Sequence, residues 1–123
     1  MMTQQILIVE NDPHWAHMLD EVSSSLGYST CQVSLARDAM NMLTKTKISL
    51  IIIDILLPSV RGHLLLRQLR KNSVTIPVIV VAGYITPEVA ESLVDSRVSD
   101  IIVKSKFRVK RLSNAISTAI KNI

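Results

Sequence analysis

Three charged side chains, Glu10, Asp54 and Lys104, each follow directly on a short run of aliphatic residues, although they are far apart in the sequence. An acid beside an apolar run is costly unless it is solvated, paired or bound to a cation. If each run is a strand of one parallel sheet, the three side chains lie at the edge where open α/β sheets bind ligands. The sequence therefore predicts a charged crevice in which two acids and a lysine meet.

Five apolar runs at strand length supply the elements that would position these residues. We predict strands at about 6–9, 28–33, 48–53, 78–81 and 100–103. The third run is aliphatic without interruption from Leu50 to Ile53, which is typical of a strand buried on both faces. The second is more polar, and it therefore suits an edge of the sheet.

Helical segments separate the predicted strands. Asp12 and Thr86 each precede a proline, and both pairs read as an N-cap followed by the first helical residue. Ser34 is expected to cap the second helix. The third helix should begin near Gly62, and the last should cover roughly 109–121, with its apolar residues at helical spacing.

The strict alternation of strands and helices predicts the α/β class, with a doubly wound parallel sheet, right-handed crossovers and helices on both faces. The 123 residues are enough for one domain, which we place at 4–121. The net charge is +4, aromatic residues make up 3%, and there is one cysteine. We expect a cytoplasmic protein. It should not enter membranes, since no apolar run approaches ~20 residues. It should not bind nucleic acid directly, since aromatic residues that could stack on bases are scarce.

Four segments in order resemble the receiver domains of response regulators, the CheY-like family of two-component signalling. These are Ile6–Pro13, Asp54–Gly62, Pro77–Val81 and Asp100–Lys104. The resemblance implies a flavodoxin-like, CheY-like (βα)5 fold with strand order 2-1-3-4-5. It also implies that Asp54 accepts a phosphoryl group from a histidine kinase or phosphotransfer protein, with Mg²⁺ as cofactor. Any enzymatic activity would be limited to self-catalysed phosphotransfer and dephosphorylation.

By the same resemblance, Mg²⁺ would be held by Glu10, Asn11, Asp54 and the backbone carbonyl of Leu56. Lys104 would place a positive charge beside the phosphoryl oxygens. The family usually has a second acid where this chain has Asn11. A neutral carbonyl oxygen supplies one charge fewer, so we predict weak Mg²⁺ affinity.

Three further positions depart from the family pattern. Ala82 stands where the family has Thr or Ser, so a hydrogen bond to the phosphoryl group is missing, worth about 1.5–3 kcal/mol. Ile101 replaces the switch aromatic. Ser105 follows Lys104 where proline with a cis bond is usual, and we expect a trans bond and an altered loop.

These departures keep open a second class of function, a phosphorylation-independent interaction or dimerisation module. Its surface would comprise helix 4, strand 5 and helix 5, with Val89, Leu93, Ile101 and the basic residues of the last helix. The sequence allows two interpretations of Trp15: the residue covers the rim of the crevice, or it only packs.

Two other α/β readings lack a required feature. A flavodoxin-like cofactor binder needs a glycine- or hydroxyl-rich phosphate loop after the first strand, and the acidic Glu10–Pro13 does not provide one. A metal-dependent aspartyl-phosphate hydrolase needs a second acid close to Asp54, and neither of the next two residues is acidic.

Overall fold

The computed structural model describes residues 4–57 and 61–121. Pro58, which belongs to one of the segments quoted above, lies outside them. The elements, in chain order, are β1 (Gln5–Val9), α1 (Pro13–Ser25), β2 (Ser29–Val33), α2 (Ala36–Lys45), β3 (Leu50–Asp54), α3 (Gly62–Lys71), β4 (Val78–Ala82), α4 (Pro87–Asp95), β5 (Asp100–Val103) and α5 (Val109–Lys121). A 3₁₀ turn, Lys104–Lys106, follows β5.

All five strands form one parallel sheet in the order β2-β1-β3-β4-β5. Val9 at the end of β1 lies opposite Ile53 of β3, and Asp54 lies opposite Val81 of β4. The predicted fold class and strand order are therefore confirmed. The carboxyl ends of β1, β3, β4 and β5 share one edge of the sheet, because every strand runs the same way.

The sheet divides the core into two layers, since successive side chains of a strand point to opposite faces. One layer, here called the α1/α5 layer, is formed by alternate strand residues and by buried residues of α1 and α5. Its strand members are Ile6, Ile8, Leu50, Ile52, Ile79, Val81 and Ile102. The other, the α2–α4 layer, contains Leu7, Val9, Ile51, Ile53, Val78, Val80 and Ala82 with residues of α2, α3 and α4.

Two of the three predicted helix caps are present. The Asp12 carboxylate accepts a hydrogen bond from the His14 N–H at 2.8 Å, and the Thr86 hydroxyl accepts one from the Val89 N–H at 3.3 Å. The prediction for Ser34 is wrong. The chain stays extended through Leu35, which holds the cap position without a side-chain bond, so that α2 begins one residue later with buried Ala36.

The peptide bond between Lys104 and Ser105 is trans, as expected, and no cis peptide bond occurs among the described residues. The same part of the chain contains no helix that is both long and apolar enough to cross a membrane.

Candidate functional site

Two buried carboxylates stand side by side at the carboxyl edge of the sheet. Asp54 is the last residue of β3, and Glu10 directly follows the neighbouring strand β1. The Glu10 N–H still donates to the Val33 carbonyl at 3.0 Å, which extends the β1–β2 ladder by one residue and fixes the Glu10 backbone. Only 4% of Glu10 and 6% of Asp54 is exposed to solvent. The strands thus place two acids where water reaches them poorly.

Lys104, at the end of β5, bridges the two acids. Its Nζ lies 2.9 Å from Glu10 Oε1 and 2.9 Å from Asp54 Oδ2. Short contacts between ionised groups are stronger than neutral hydrogen bonds, and they matter most where water is scarce. The convergence expected from the sequence is therefore observed: residues 10, 54 and 104 form one charged cluster.

The remaining carboxylate oxygens also accept hydrogen bonds. Leu56 N–H donates to Asp54 Oδ1 at 2.9 Å, and Asp12 N–H donates to Glu10 Oε2 at 3.4 Å. Asp12 itself is occupied as the cap of α1 and does not join the cluster through its side chain. All four oxygens of Glu10 and Asp54 are thus paired in this arrangement, as buried polar atoms generally are.

Burial and charge act on the cluster in opposite directions. Burial, followed by the neighbouring Asp54 carboxylate, raises the pKa of Glu10 to about 7, although Lys104 opposes the rise. Burial by itself lowers the pKa of Lys104, but the hydrogen bonds and charges of Asp54 and Glu10 outweigh it, and this pKa is raised. One ammonium therefore does not fully offset two carboxylates, and the cluster favours additional positive charge.

The chain leaves the site through a turn that needs a glycine. The Gly62 N–H donates to the Ile55 carbonyl at 2.7 Å, and Leu56 forms an isolated bridge with Arg61. A Cβ on Gly62 would lie 2.7 Å from the Ile55 Cα and 2.9 Å from the Asp54 carbonyl oxygen. The absence of a side chain at Gly62 thus permits α3 to start against the backbone that carries Asp54.

Two aromatic rings lie next to the cluster. The Lys104 Nζ is 4.9 Å from the ring centroid of Trp15, and the Trp15 ring meets Phe107 edge to face with centroids 5.2 Å apart. Trp15 therefore does not only pack, because it lies beside the cluster as well as against the α1/α5 layer. Phe107 is a neighbour of the site that no sequence pattern predicted.

Of the other predicted site residues, Leu56 bonds to the charged cluster through its N–H, whereas, among the described residues, no such bond is seen for Asn11, Ala82 or Ile101. Asn11 is exposed in the bend between β1 and α1, next to Glu10. Ala82 is fully buried in the α2–α4 layer, and Ile101 packs, half-buried, against the same layer. The Leu56 side chain is 48% exposed.

The prediction that Leu93 lines the interaction surface is wrong. Leu93 is completely buried in the α2–α4 layer, so it cannot line an exterior face of α4. On that helix Val94 is exposed instead, at 72%. The helix spacing identified an apolar side of α4 but not which apolar residues point outward.

The sequence profile for the response regulator receiver domain matches residues 6–117. The chain therefore belongs to the response regulator receiver domain family, and it is a receiver domain of two-component signalling.

Named relatives and solved structures agree with this assignment. Sporulation initiation phosphotransferase F of Bacillus subtilis is 30% identical over 84 residues, which cover 68% of each chain. Sensor histidine kinase RcsC of Escherichia coli is 28% identical over 99 residues, 80% of this chain and 10% of RcsC. The chain thus spans about a tenth of that relative's length.

Among solved structures, a CheY-like receiver domain protein from Methanospirillum hungatei superposes with a TM-score of 0.91 at 21% identity, covering 98% of this chain and 96% of that one. The signal receiver domain of a signal transduction histidine kinase from Syntrophus aciditrophicus gives 0.87 at 29% identity, with 98% and 92% covered. Both cover essentially the whole chain, so the receiver fold extends over its full described length.

Proposed function

We propose that Asp54 accepts a phosphoryl group from a histidine kinase or a phosphotransfer protein in the cytoplasm. The observation that carries the proposal is the Lys104 ammonium, 2.9 Å from both Asp54 and Glu10 at the carboxyl edge of the sheet. A lysine from one strand and acids from two others form a compact charged site, and Asp54 is the acid at its centre.

The chemistry asked of Asp54 is nucleophilic. A carboxylate oxygen attacks phosphorus and forms an acyl phosphate, while the bond from phosphorus to the donor atom breaks and its electron pair leaves with the donor. Lys104 then exchanges a carboxylate partner for a phosphoryl oxygen and remains a point charge beside the transferred group. The Leu56 N–H, already bonded to Asp54, holds the orientation of the attacking carboxylate.

The donor set suits weak binding of Mg²⁺. Two carboxylates share one ammonium, which leaves the cluster with an unbalanced negative charge, and oxygen ligands are what this ion prefers. Glu10, Asp54, Asn11 and the Leu56 carbonyl would hold it. A divalent cation there supplies charge that offsets repulsion between the carboxylates and the incoming phosphoryl group. Only two of these four ligands carry a charge, so we expect the affinity to be low.

The test is phosphorylation by a small donor. The protein is incubated with acetyl phosphate or phosphoramidate and Mg²⁺, and its intact mass is measured. We expect a gain of one phosphoryl group that hydroxylamine removes, because an acyl phosphate is labile to that nucleophile. Asp54→Asn should show no gain.

Asp38, a half-buried acid in the first turn of α2, provides a matched control. Asp38→Asn removes the same charge away from the cluster and should be phosphorylated like the unaltered protein. Failure of the unaltered protein to gain mass, under conditions that modify an ordinary receiver domain, would remove the acceptor role.

A second candidate function is a phosphorylation-independent interaction module. The acceptor chemistry does not conflict with it, because binding and phosphorylation would use different residues. The observation in its favour is Ala82, which is fully buried and offers no hydroxyl to a phosphoryl group. The coupling between Asp54 and the α4–β5–α5 surface is then weak, and a homodimer through that surface would be indifferent to the state of Asp54.

Light scattering distinguishes the two functions. The particle mass is measured with and without beryllofluoride and Mg²⁺, which together mimic the phosphoryl group. A dimer that is unchanged by the mimic favours the module. A particle mass that changes with the mimic in the unaltered protein, but not in Asp54→Asn, favours a function that depends on phosphorylation of Asp54. Val94→Glu, on the exposed side of α4, should weaken a dimer that uses this surface.

A further inference from the structure

The Lys104 ammonium has an aromatic neighbour in addition to its two carboxylate partners. Its Nζ lies 4.9 Å from the centroid of Trp15, inside the range of about 6 Å over which a cation is attracted to a ring face. Trp15 gives the strongest such attraction of the aromatic side chains. The cation is therefore surrounded by two negative charges and one π face.

The start of α1 fixes the position of Trp15. The residue is the third of the helix, and its N–H, like that of His14, donates to the capping Asp12 carboxylate. Asp12 is in turn tied by its N–H to Glu10. Two hydrogen bonds through Asp12 therefore connect the Trp15 backbone to Glu10, one of the two acids that Lys104 contacts.

The turn after β5 fixes the second ring. Lys104–Lys106 form one 3₁₀ turn, and the Phe107 N–H donates to the Lys104 carbonyl at 3.2 Å. The chain thereby brings Phe107 back beside the lysine that precedes it. Its ring meets Trp15 at an interplanar angle of 85°, the edge-to-face arrangement that aromatic pairs favour.

We propose that Trp15, supported by Phe107, is a positioning residue for Lys104. A lysine side chain has a flexible four-carbon stem, and the ring face restricts the orientations in which its ammonium reaches both Glu10 and Asp54. Trp15 does not touch the reacting atoms in this account and acts only through the lysine. Its consequence for phosphorylation rests on the function proposed above for Asp54, whereas the contact itself is a property of the resting protein.

The contact can be measured without phosphorylation. Protons on the Lys104 side chain near the face of an indole are shifted upfield in the NMR spectrum by its ring current. We expect this shift in the unaltered protein, a smaller shift in Trp15→Phe, and its loss in Trp15→Leu. Leucine preserves apolar packing against the α1/α5 layer but has no π face, so the Phe and Leu variants form a matched pair.

The kinetic consequence is tested with acetyl phosphate and Mg²⁺. We expect Trp15→Leu to slow the phosphorylation of Asp54 by roughly 2- to 5-fold and Trp15→Phe to recover part of the loss. Urea unfolding of each variant accompanies the rates. A purely structural role predicts that rate and stability fall together and that Phe and Leu behave alike, and that result would overturn the proposal.

An unchanged Lys104 shift in Trp15→Leu would also overturn it, whatever the rates. If the unaltered protein is not phosphorylated at all, the function proposed for Asp54 fails. The positioning role is then decided by the Lys104 resonances alone, so the two proposals can fail separately.

Discussion

At the scale of single residues, Glu10 has the most unusual environment in the site. It is 4% exposed, lies beside a second carboxylate and shares its one ammonium partner with that carboxylate. These conditions favour its protonated form and raise its pKa to about 7, mainly through burial. The charge of the site therefore changes within the range of ordinary buffers.

The raised pKa makes stability depend on pH. The folded pKa of Glu10 exceeds the ordinary value of 4.5, so the stabilisation from its protonated form is complete below about pH 4.5 and is lost as the pH rises through about 7. Between about pH 5 and pH 8 we expect the unaltered protein to lose roughly 1–3 kcal/mol of unfolding free energy relative to Glu10→Gln. Urea unfolding at a series of pH values measures this difference.

Glu10→Gln is the reference for this experiment because glutamine keeps the shape of the side chain without its titration. Asp100, whose pKa is lowered mainly by its hydrogen bond to Arg111, affects stability only at more acidic pH and does not interfere. Parallel pH profiles for the two proteins would contradict the raised pKa.

Residue types and their order allowed the meeting of Glu10, Asp54 and Lys104 to be predicted, because parallel strands align their ends. The contact between Trp15 and Lys104 could not be predicted in the same way. It depends on the direction of two side chains 89 positions apart, and the apolar spacing of α1 is equally consistent with a residue that only packs. Phe107 carried no periodic signal, since it follows a single 3₁₀ turn.

At the scale of elements, the connection from β3 to α3 depends on Gly62. We expect Gly62→Ala to destabilise the fold by about 1–3 kcal/mol, because its Cβ would overlap the Ile55 and Asp54 backbone. Gly83→Ala, in the turn after β4, is the matched control, since a Cβ there meets nothing within 4 Å. Urea unfolding should show a change below about 0.5 kcal/mol for the control. Equal effects of the two substitutions would argue against a steric role for Gly62.

Arg70, in the last turn of α3, bonds to the two connections that precede β4 and β5. Its Nε donates to the Ser96 carbonyl, and its Nη1 donates to the carbonyls of Val74 and Ile76, each at 2.8 Å. One guanidinium thus supplies donors to three carbonyls that lie outside the helices and strands. No sequence pattern predicts these bonds, because a basic residue near a helix end is ordinarily a surface residue.

We expect Arg70→Met to lower the free energy of unfolding by about 1–3 kcal/mol, since the carbonyls lose charged donors. Arg67→Met, one turn earlier and exposed, tests the loss of a charge without these bonds. Chemical denaturation compares the two, together with Arg70→Lys, which keeps the charge but cannot reach all three carbonyls at once. A full recovery by lysine would show that charge alone is responsible.

The helix boundaries were predictable where a polar cap precedes a proline, as at Asp12 and Thr86. Ser34 shows the limit of that rule. A serine before a helical pattern favours a cap, but the chain remains extended for one residue more and α2 begins at Ala36. We attribute the start of α2 at Ala36 to the packing of the buried Ala36 and Ala39 against the sheet. Local sequence does not show such packing.

At the scale of the whole molecule, burial decreases from the centre of the sheet to its edges. Every residue of β3 and β4 is buried, whereas β2 and β5 form the edges and keep partly exposed residues. The strand order was available only through the family resemblance, because alternation of strands and helices does not by itself fix which strand lies at an edge. The burial of β3 followed from its uninterrupted aliphatic residues.

We expect hydrogen exchange to follow this arrangement. Amides of β1, β3 and β4 should exchange most slowly, through global unfolding, and those of β2 and β5 should exchange faster through local opening. Native-state exchange monitored by NMR over a range of denaturant concentrations measures the free energies of global unfolding and of local opening. Protection of β5 equal to that of β3 would contradict the prediction.

The division of the core into two layers has a mechanical implication for signalling. Asp54 continues the alternate row of β3 that includes Leu50 and Ile52, and its lysine partner contacts a ring packed on the same side of the sheet. Ala82 and Ile101 belong to the opposite side. If Asp54 is phosphorylated as proposed, the change begins on the side of the sheet opposite Ala82 and Ile101, so that no shared packing layer links it directly to α4.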